Sequence, residues 1–399
     1  MSETTRRWQR LYEQPDLVAA AADVAPGEEL AVQGRLRDRY DDDLVPLAFQ
    51  LAEVRRKAVG RFERASQLWA DRVALEQATS EAIARHKATR FAAAGGLVYD
   101  LCSGLGSDSI AMAERSPVIA VDLREEASHF VRWNAEAYGV EVDARIGDAT
   151  TLDPVWTDSL VHIDPDRRVA GRRVRRIEEY QPGLDFLQTV ARGRGGAIKV
   201  SPASNFGGKF PETEAELVAI DRECREATIW YGELAGEAAA RATVITDAGV
   251  ATLGGNPLDS WTTTGPVGNY LLDPNPALVR SGLVDLFAER TGCHRLDDAE
   301  EYLSAESSLA DSAWLPFVTS YRILALDRAK PKEIRRLLKL CEATHVEVKV
   351  RHVAVDANAL ERKFSQPSAG SHRRVTLFYA RVAGKTTAIV TERVGDDRG

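Results

Sequence analysis

The segment VYDLCSGLGSDSIAMAE, Val98 to Glu114, decides how the chain is read. A short apolar run leads into Gly104 and Gly106 among small polar residues, and an alanine-rich helix start follows. Strand, glycine turn and helix in that order set backbone amides and a helix N-terminus against a ligand. Which ligand is the question. A dinucleotide fingerprint needs a third small glycine or alanine where Ser109 stands, and Asp108 puts a negative charge where pyrophosphate would sit. A Walker loop is excluded, because no Gly-Lys-Ser/Thr follows. The loop disfavours phosphate.

Outward from this segment, strands and helices alternate: DSIAMAERS, PVIAVDL, REEASHFVRWNAEAYG, VDARIGDAT, LVHIDPD and GGAIKVSP. Gly139 is placed to end the long helix. This rhythm predicts an α/β fold, a doubly wound parallel sheet with helices on both faces. In such a sheet the carboxyl ends of the strands line one crevice. Asp100, Asp122, Asp148 and Asp164 each end one of the first four strands, so four carboxylates converge there. Any one of them serves equally well as a cap or turn residue, but four in register mark a site. A ligand with ribose hydroxyls, an adenine amino group, an ammonium and a sulfonium suits that rim.

Residues 1 to about 90 read as helical, with Leu44, Leu47, Leu51 and Val54 at helical spacing. Gly and Pro become dense from Gly254 to Val279, the pattern of a domain junction. Beyond it SYRILAL, VEVKVRHV, RVTLFYARV and TTAIVTERV read as strands, and PKEIRRLLKLCEA and DANALERKF as helices, together an α+β module. The net charge of −8 is unevenly spread. Arg328 to Arg374 holds twelve Lys/Arg against five Asp/Glu, a net of about +7, so the rest of the chain sits near −15. Asp297 to Asp311 is strongly acidic, so the basic stretch is either a binding face or one of two oppositely charged neighbours. No apolar run approaches a membrane span, and MSETTRRWQRLYEQ lacks the apolar core of a secretory signal. The four cysteines are far apart, without a CxxC pair or a histidine cluster. That argues against a disulfide framework or a metal site and for a reducing cytoplasm.

Residues 95 to about 205 resemble a class I S-adenosylmethionine-dependent methyltransferase. DLCSGLGSDSIAMA matches the first motif of that family, VIAVDL the second, GDAT the third and HIDPD the fourth, in the right order and spacing. The resemblance implies S-adenosylmethionine as cofactor, with Asp100, Ser103, Gly104 and Gly106 around its methionine part. It implies Asp122 on both ribose hydroxyls, and Asp148 with Ala149 at the adenine. The fourth motif implies a catalytic role for Asp164, Pro165 and Asp166. In amino-directed nucleic-acid methyltransferases that motif reads Asp/Asn/Ser-Pro-Pro-aromatic; Asp166 and Arg167 depart from it, which leaves the acceptor atom open.

Six arginines between Arg167 and Arg176 leave the fourth strand at the mouth of the crevice. Arg167, Arg168, Arg172 and Arg173 are expected to meet phosphates, against a plainer reading as a solvated face paired with Glu178 and Glu179. Lys199, Ser201 and Asn205 to Gly208 would form another wall. His86, Lys87 and Arg90 precede the sheet, placed to reach RNA or close over the donor, with an exposed helix end as the plainer reading. VRWNAEAYGVE and EQATSEAIARHKA also resemble segments of the cap trimethylguanosine synthase branch and its bacterial relatives. From about Pro331 the chain resembles the THUMP-like module attached to bacterial methyltransferases of this kind; THUMP domains are RNA-binding elements.

The expected organisation is therefore a helical region at 1–90, a methyltransferase domain at 91–260, a connecting α/β region at 261–330 and a THUMP-like domain at 331–399. The expected function is methylation of structured RNA, ribosomal or transfer, in the cytoplasm, without a metal or a membrane. Two alternatives stand beside it: methylation of a small molecule or a protein, and an RNA-binding protein that keeps the donor fold without transfer.

Overall fold

The computed structural model describes residues 1–25, 27–169, 172–351, 353–365 and 373–395. It divides into two compact units, residues 1–213 with 228–236, and residues 214–227 with 237–399.

The first unit opens with helices α1 (Glu3–Tyr12), α2 (Pro15–Ala22), α3 (Glu29–Arg37), α4 (Leu44–Ala58), α5 (Arg72–Gln77) and α6 (Glu81–Ala94). Side-chain caps fix where two of them begin: Ser2 accepts from Thr5 N, and Asp71 accepts from Ala74 N at 2.7 Å. Strand and helix then alternate through β1 (Val98–Leu101), α7 (Ser107–Ala113), β2 (Val118–Asp122), α8 (Glu125–Tyr138), β3 (Asp143–Ile146) and β4 (Leu160–Ile163). Gly139 ends α8 in the left-handed conformation at φ 71°, as its position predicts. Two short strands, β5 (Arg168–Val169) and β6 (Arg172–Arg173), precede α9 (Leu184–Val190) and β7 (Gly195–Val200).

The strands lie in the order β7-β4-β1-β2-β3, all parallel. The order reverses between β4 and β1, which opens the crevice at their carboxyl ends. Asp100 and His162 are paired across that boundary.

The N-terminal helices pack on α8. Tyr12 stacks on Trp133 at 4.5 Å, Trp69 meets the same ring edge-on at 5.1 Å, and Trp8 meets Phe130 at 5.1 Å. Asn134, fully buried in α8, donates to Trp69 O and Leu105 O at 2.9 Å and accepts from Trp69 N at 2.7 Å. One amide thus joins the N-terminal helices to the glycine loop.

In the second unit β8 (Glu214–Ile220), β10 (Ala240–Thr246) and β11 (Gly249–Gly255) run side by side. The strand β9 (Glu223–Gly232) belongs to this unit up to Ala227 and to the first from Thr228. The Gly/Pro-dense stretch 254–279 lies within the second unit, where it leads to β12 (Tyr270–Pro274) and α10 (Pro276–Arg280). After α11 (Val284–Thr291) come β13 (His294–Arg295), β14 (Leu303–Ala305) and β15 (Val318–Arg328). The predicted C-terminal elements then form as α12 (Pro331–Leu340), β16 (His345–Val350), α13 (Ala357–Phe364), β17 (Arg374–Val382) and β18 (Lys385–Arg393). Gly384 turns the last hairpin at φ 79°. The sheet order is β13-β14-β12-β15-β18-β17-β16. Ile334, Leu337 and Leu338 of α12 share a core with Val346, Val348, Val375 and Leu377. Their spacing leaves Lys332, Arg335, Arg336 and Lys339 exposed.

Candidate active site

A cavity of about 360 Å³ opens in the first unit at the carboxyl ends of β1 to β4, a size ordinary for a small-molecule site. Asp100, Ser103, Gly104, Asp122, Asp148, Ala149, Asp164, Pro165, Asp166 and Arg167 line it, as the sequence predicts. Gly106 is set back. It starts α7 at φ 90°, and a Cβ there would come within 3.1 Å of Val131, so its work is the turn and the close approach of α8. Arg168 and Arg172 are outside the lining: Arg168 pairs with Glu76 at 2.6 Å and Arg172 is exposed. The side chain of Arg173 lies outside the described residues. Lys199, Ser201 and Asn205 to Gly208 are not in the lining either; Lys199 stands behind Asp164, and Asn205 accepts from Ile177 N at 3.0 Å.

The acids are held in two ways. Asp122 accepts Gly104 N on Oδ2 and Arg124 N on Oδ1, both at 2.9 Å, so each oxygen keeps a lone pair for a ligand. Burial raises its carboxyl above the usual aspartate range, against the opposing pull of those amides and the Arg124 side chain. Asp148 takes Thr150 N at 2.9 Å and Thr150 Oγ1 at 2.7 Å on the same oxygen, Oδ1.

At β1 and β4 the partners are side chains. Asp100, 1% exposed, has Oδ1 at 2.7 Å from His162 Nδ1 and takes Ser109 Oγ on Oδ2. His162 Nε2 is 3.2 Å from Lys87 Nζ, and Lys87 is 2.8 Å from Asp108 Oδ1. Lys87 is therefore no exposed helix end: it is 1% exposed, on the α6 face that also buries Ile83, Ala84 and Phe91. Arg90 lies over the Trp230 ring at 4.4 Å and donates to Leu234 O. Asp164 accepts Lys199 Nζ on Oδ2 at 2.6 Å.

The N-terminal helical region supplies one wall through Ala74, Gln77, Ala78 and Thr79. Gln77 reaches one end of the DPD motif directly and the other through Lys199. Its carbonyl accepts from Lys199 at 3.1 Å, and its side-chain amide donates to Asp166 Oδ1 at 2.8 Å. The half-buried Cys102 lines the cavity at φ 60°; burial and the neighbouring aspartates push its thiol well up, so it is held protonated. Six carboxylates against the two lining arginines, Arg124 and Arg167, make a wall that repels phosphate and accepts hydroxyl, amino and cationic groups.

Several of these groups were not read from the sequence as parts of the site. His162 sits in a strand that reads as simply apolar, and all four of its residues are buried. Lys87 had a signal: it falls four residues after Ile83 and four before Phe91, on the apolar stripe of its helix.

Residues 318–393 match the family described as THUMP domain-like. An uncharacterised S-adenosylmethionine-dependent methyltransferase of Mycobacterium tuberculosis is 31% identical over 368 residues, 87% of this chain and 99% of that protein. The release factor glutamine methyltransferase of Streptomyces coelicolor is 30% identical over 138 residues, 29% of this chain and 48% of that one. A crystal structure from Porphyromonas gingivalis W83, of a candidate methyltransferase, superposes with a TM-score of 0.75 at 18% identity over 96% of this chain and 99% of that one, which establishes the fold. The acid-rimmed crevice at the strand reversal and the full-length mycobacterial match agree: the chain belongs to the S-adenosylmethionine-dependent methyltransferases, has S-adenosylmethionine as its cofactor, and carries a THUMP-like domain at its C-terminal end.

Proposed function

We propose that this methyltransferase modifies structured RNA, ribosomal or transfer, in the cytoplasm, with the donor held in the cavity of the first unit. The RNA reading rests on the THUMP-like match at 318–393, where the cations turn outward: Lys332, Arg335, Arg336 and Lys339 of α12 and Arg362 and Lys363 of α13 are exposed. Such a face suits a phosphate backbone.

The donor reading assigns a task to each wall. Asp122 accepts both ribose hydroxyls with its outer lone pairs, a charge-assisted and bidentate contact. Asp148 accepts the adenine amino group through Oδ2, with Ala149 beside it. Ser103 and Gly104 face the methionine part. When bound, S-adenosylmethionine supplies a methyl group on a sulfonium. What remains for the protein is to align the acceptor and receive its proton. Asp164 does this with Oδ1, since Lys199 holds Oδ2. Pro165 fixes the turn, and Asp166 offers Oδ2, its other oxygen being bonded to Gln77 and to Arg168 N. Arg167 at the mouth, and Arg168 and Arg172 beyond it, meet phosphates of the acceptor.

The test is transfer of labelled methyl from S-adenosylmethionine to total RNA from a strain lacking the gene, with DNA and protein fractions beside it. Label in one RNA size class, absent with RNA from the intact strain, is expected. Label confined to protein or small molecules overturns the RNA reading and leaves the enzyme. No label in any fraction, with the donor still bound, points instead to a binding protein without transfer.

A further inference from the structure

Beneath the cavity lies a buried cluster that sets two carboxylates against one ammonium and one imidazole. Asp100, Lys87 and His162 are each 1% exposed and Asp108 is 7% exposed. An ammonium can only donate, so Lys87 at 3.2 Å makes His162 Nε2 the accepting nitrogen and puts the ring proton on Nδ1, which donates to Asp100. One ammonium faces two carboxylates. The remaining ammonium nearby, Lys199, is matched by Asp164. A carboxylate oxygen in a buried wall without a hydrogen bond is costly unless a cation answers it.

The two carboxylates are not equally free to take that cation. Both oxygens of Asp100 are engaged, one by His162 and one by Ser109. To hold a ligand it would have to surrender one of them. Asp108 is different. Its Oδ1 meets Lys87 at 2.8 Å, but its Oδ2 stands 3.9 Å from His162 Nε2, beyond hydrogen-bond reach, and the residue lines the cavity.

We infer that Asp108, rather than Asp100, receives the α-ammonium of the donor, and that Lys87 is a positioning residue holding its other oxygen. Asp100 is turned inward to fix His162, and through it Lys87. Burial alone would push the Asp108 carboxyl up, but the surrounding basic side chains, Lys87 foremost, outweigh burial and hold it below the usual aspartate range. It therefore stays charged for a cation. The residue that spoils the loop for phosphate is the one that suits it to an amino acid. This inference rests on placing the donor in this cavity.

Two ligands separate the inference from that placement: S-adenosylhomocysteine, which carries the amino-acid end, and 5′-methylthioadenosine, which lacks it. Their affinities for the full chain are measured by titration calorimetry. Asp108→Asn is expected to weaken S-adenosylhomocysteine about ten- to thirtyfold and to leave methylthioadenosine within about twofold. Asp122→Ala should weaken both alike. Equal losses for the two ligands in Asp108→Asn, or none, overturn the inference while the Asp122→Ala result upholds the site. Unchanged binding of both ligands in Asp122→Ala overturns the placement and the inference with it. Should Asp108→Asn not fold, the double variant Lys87→Gln/Asp108→Asn removes both charges of the pair and is expected to show the same ligand discrimination; its absence there overturns the inference.

Discussion

The ends of β2 and β3 differ from those of β1 and β4, although an aspartate lies within two residues of each strand's end. Asp122 and Asp148 are held by backbone amides and a threonine hydroxyl. Asp100 and Asp164 are held by a histidine with a serine, and by a lysine. An amide orients a carboxylate and leaves its charge to a ligand. A neighbouring ammonium, or an imidazole backed by one, draws the carboxylate into the protein. Four like residues near the strand ends thus divide into two oriented by amides and a hydroxyl and two bonded to an imidazole or an ammonium. The side-chain-held pair flanks the strand reversal between β4 and β1, and the amide-held pair lies on the two strands beyond it.

The strongest way to break this comparison is to remove a cation from the β1/β4 side. Lys87→Met leaves Asp108 charged and buried, and should lower unfolding stability by about 3–5 kcal/mol, read from urea denaturation. A loss below about 1 kcal/mol would mean that the pair does not hold the frame.

On the other side the effect should move from stability to affinity. Asp122→Ala is expected to weaken donor binding by about 1.5–3 kcal/mol by calorimetry, the size of a lost charge-assisted contact. The pH profile sharpens this. Because burial raises the Asp122 carboxyl, donor affinity should begin to fall on acidification at a higher pH than an ordinary aspartate allows. Stability has the opposite sign: a carboxyl whose folded value lies above its unfolded value favours the fold below that window and disfavours it progressively as pH rises through it. Asp122→Asn should flatten the acid limb of the affinity profile.

The smallest effect belongs to Asp148, which is exposed and whose side chain is held by Thr150. Asp148→Ala should cost about 0.5–1 kcal/mol of stability, the ordinary value of a lost cap, with a severalfold loss of donor affinity.

Much of this was legible in the sequence, because it follows from local rules. Apolar runs gave the strands, Gly139 the end of α8, and the acids at the strand ends the rim of the crevice. The pattern of S-adenosylmethionine motifs pointed to the cofactor. What was not legible is who holds whom. The partners Lys87 and His162 are 75 residues apart, and Gln77 and Lys199 are 122 apart. Such pairings are set by how the N-terminal helices dock on the sheet, and no local periodicity records them. Gly106 shows the converse. Its place in the motif is plain in the sequence, yet in the structure it meets Val131 rather than the cavity.

Gln77 has a further consequence, in terms of how little of the chain suffices. Every recognisable motif of the donor site falls after Gly95, so a chain shortened to that point would keep them all. It would lose the carbonyl that seats Lys199 and the amide that holds Asp166, along with the cavity wall of Ala74, Ala78 and Thr79. The smallest working enzyme in this protein is larger than its motifs.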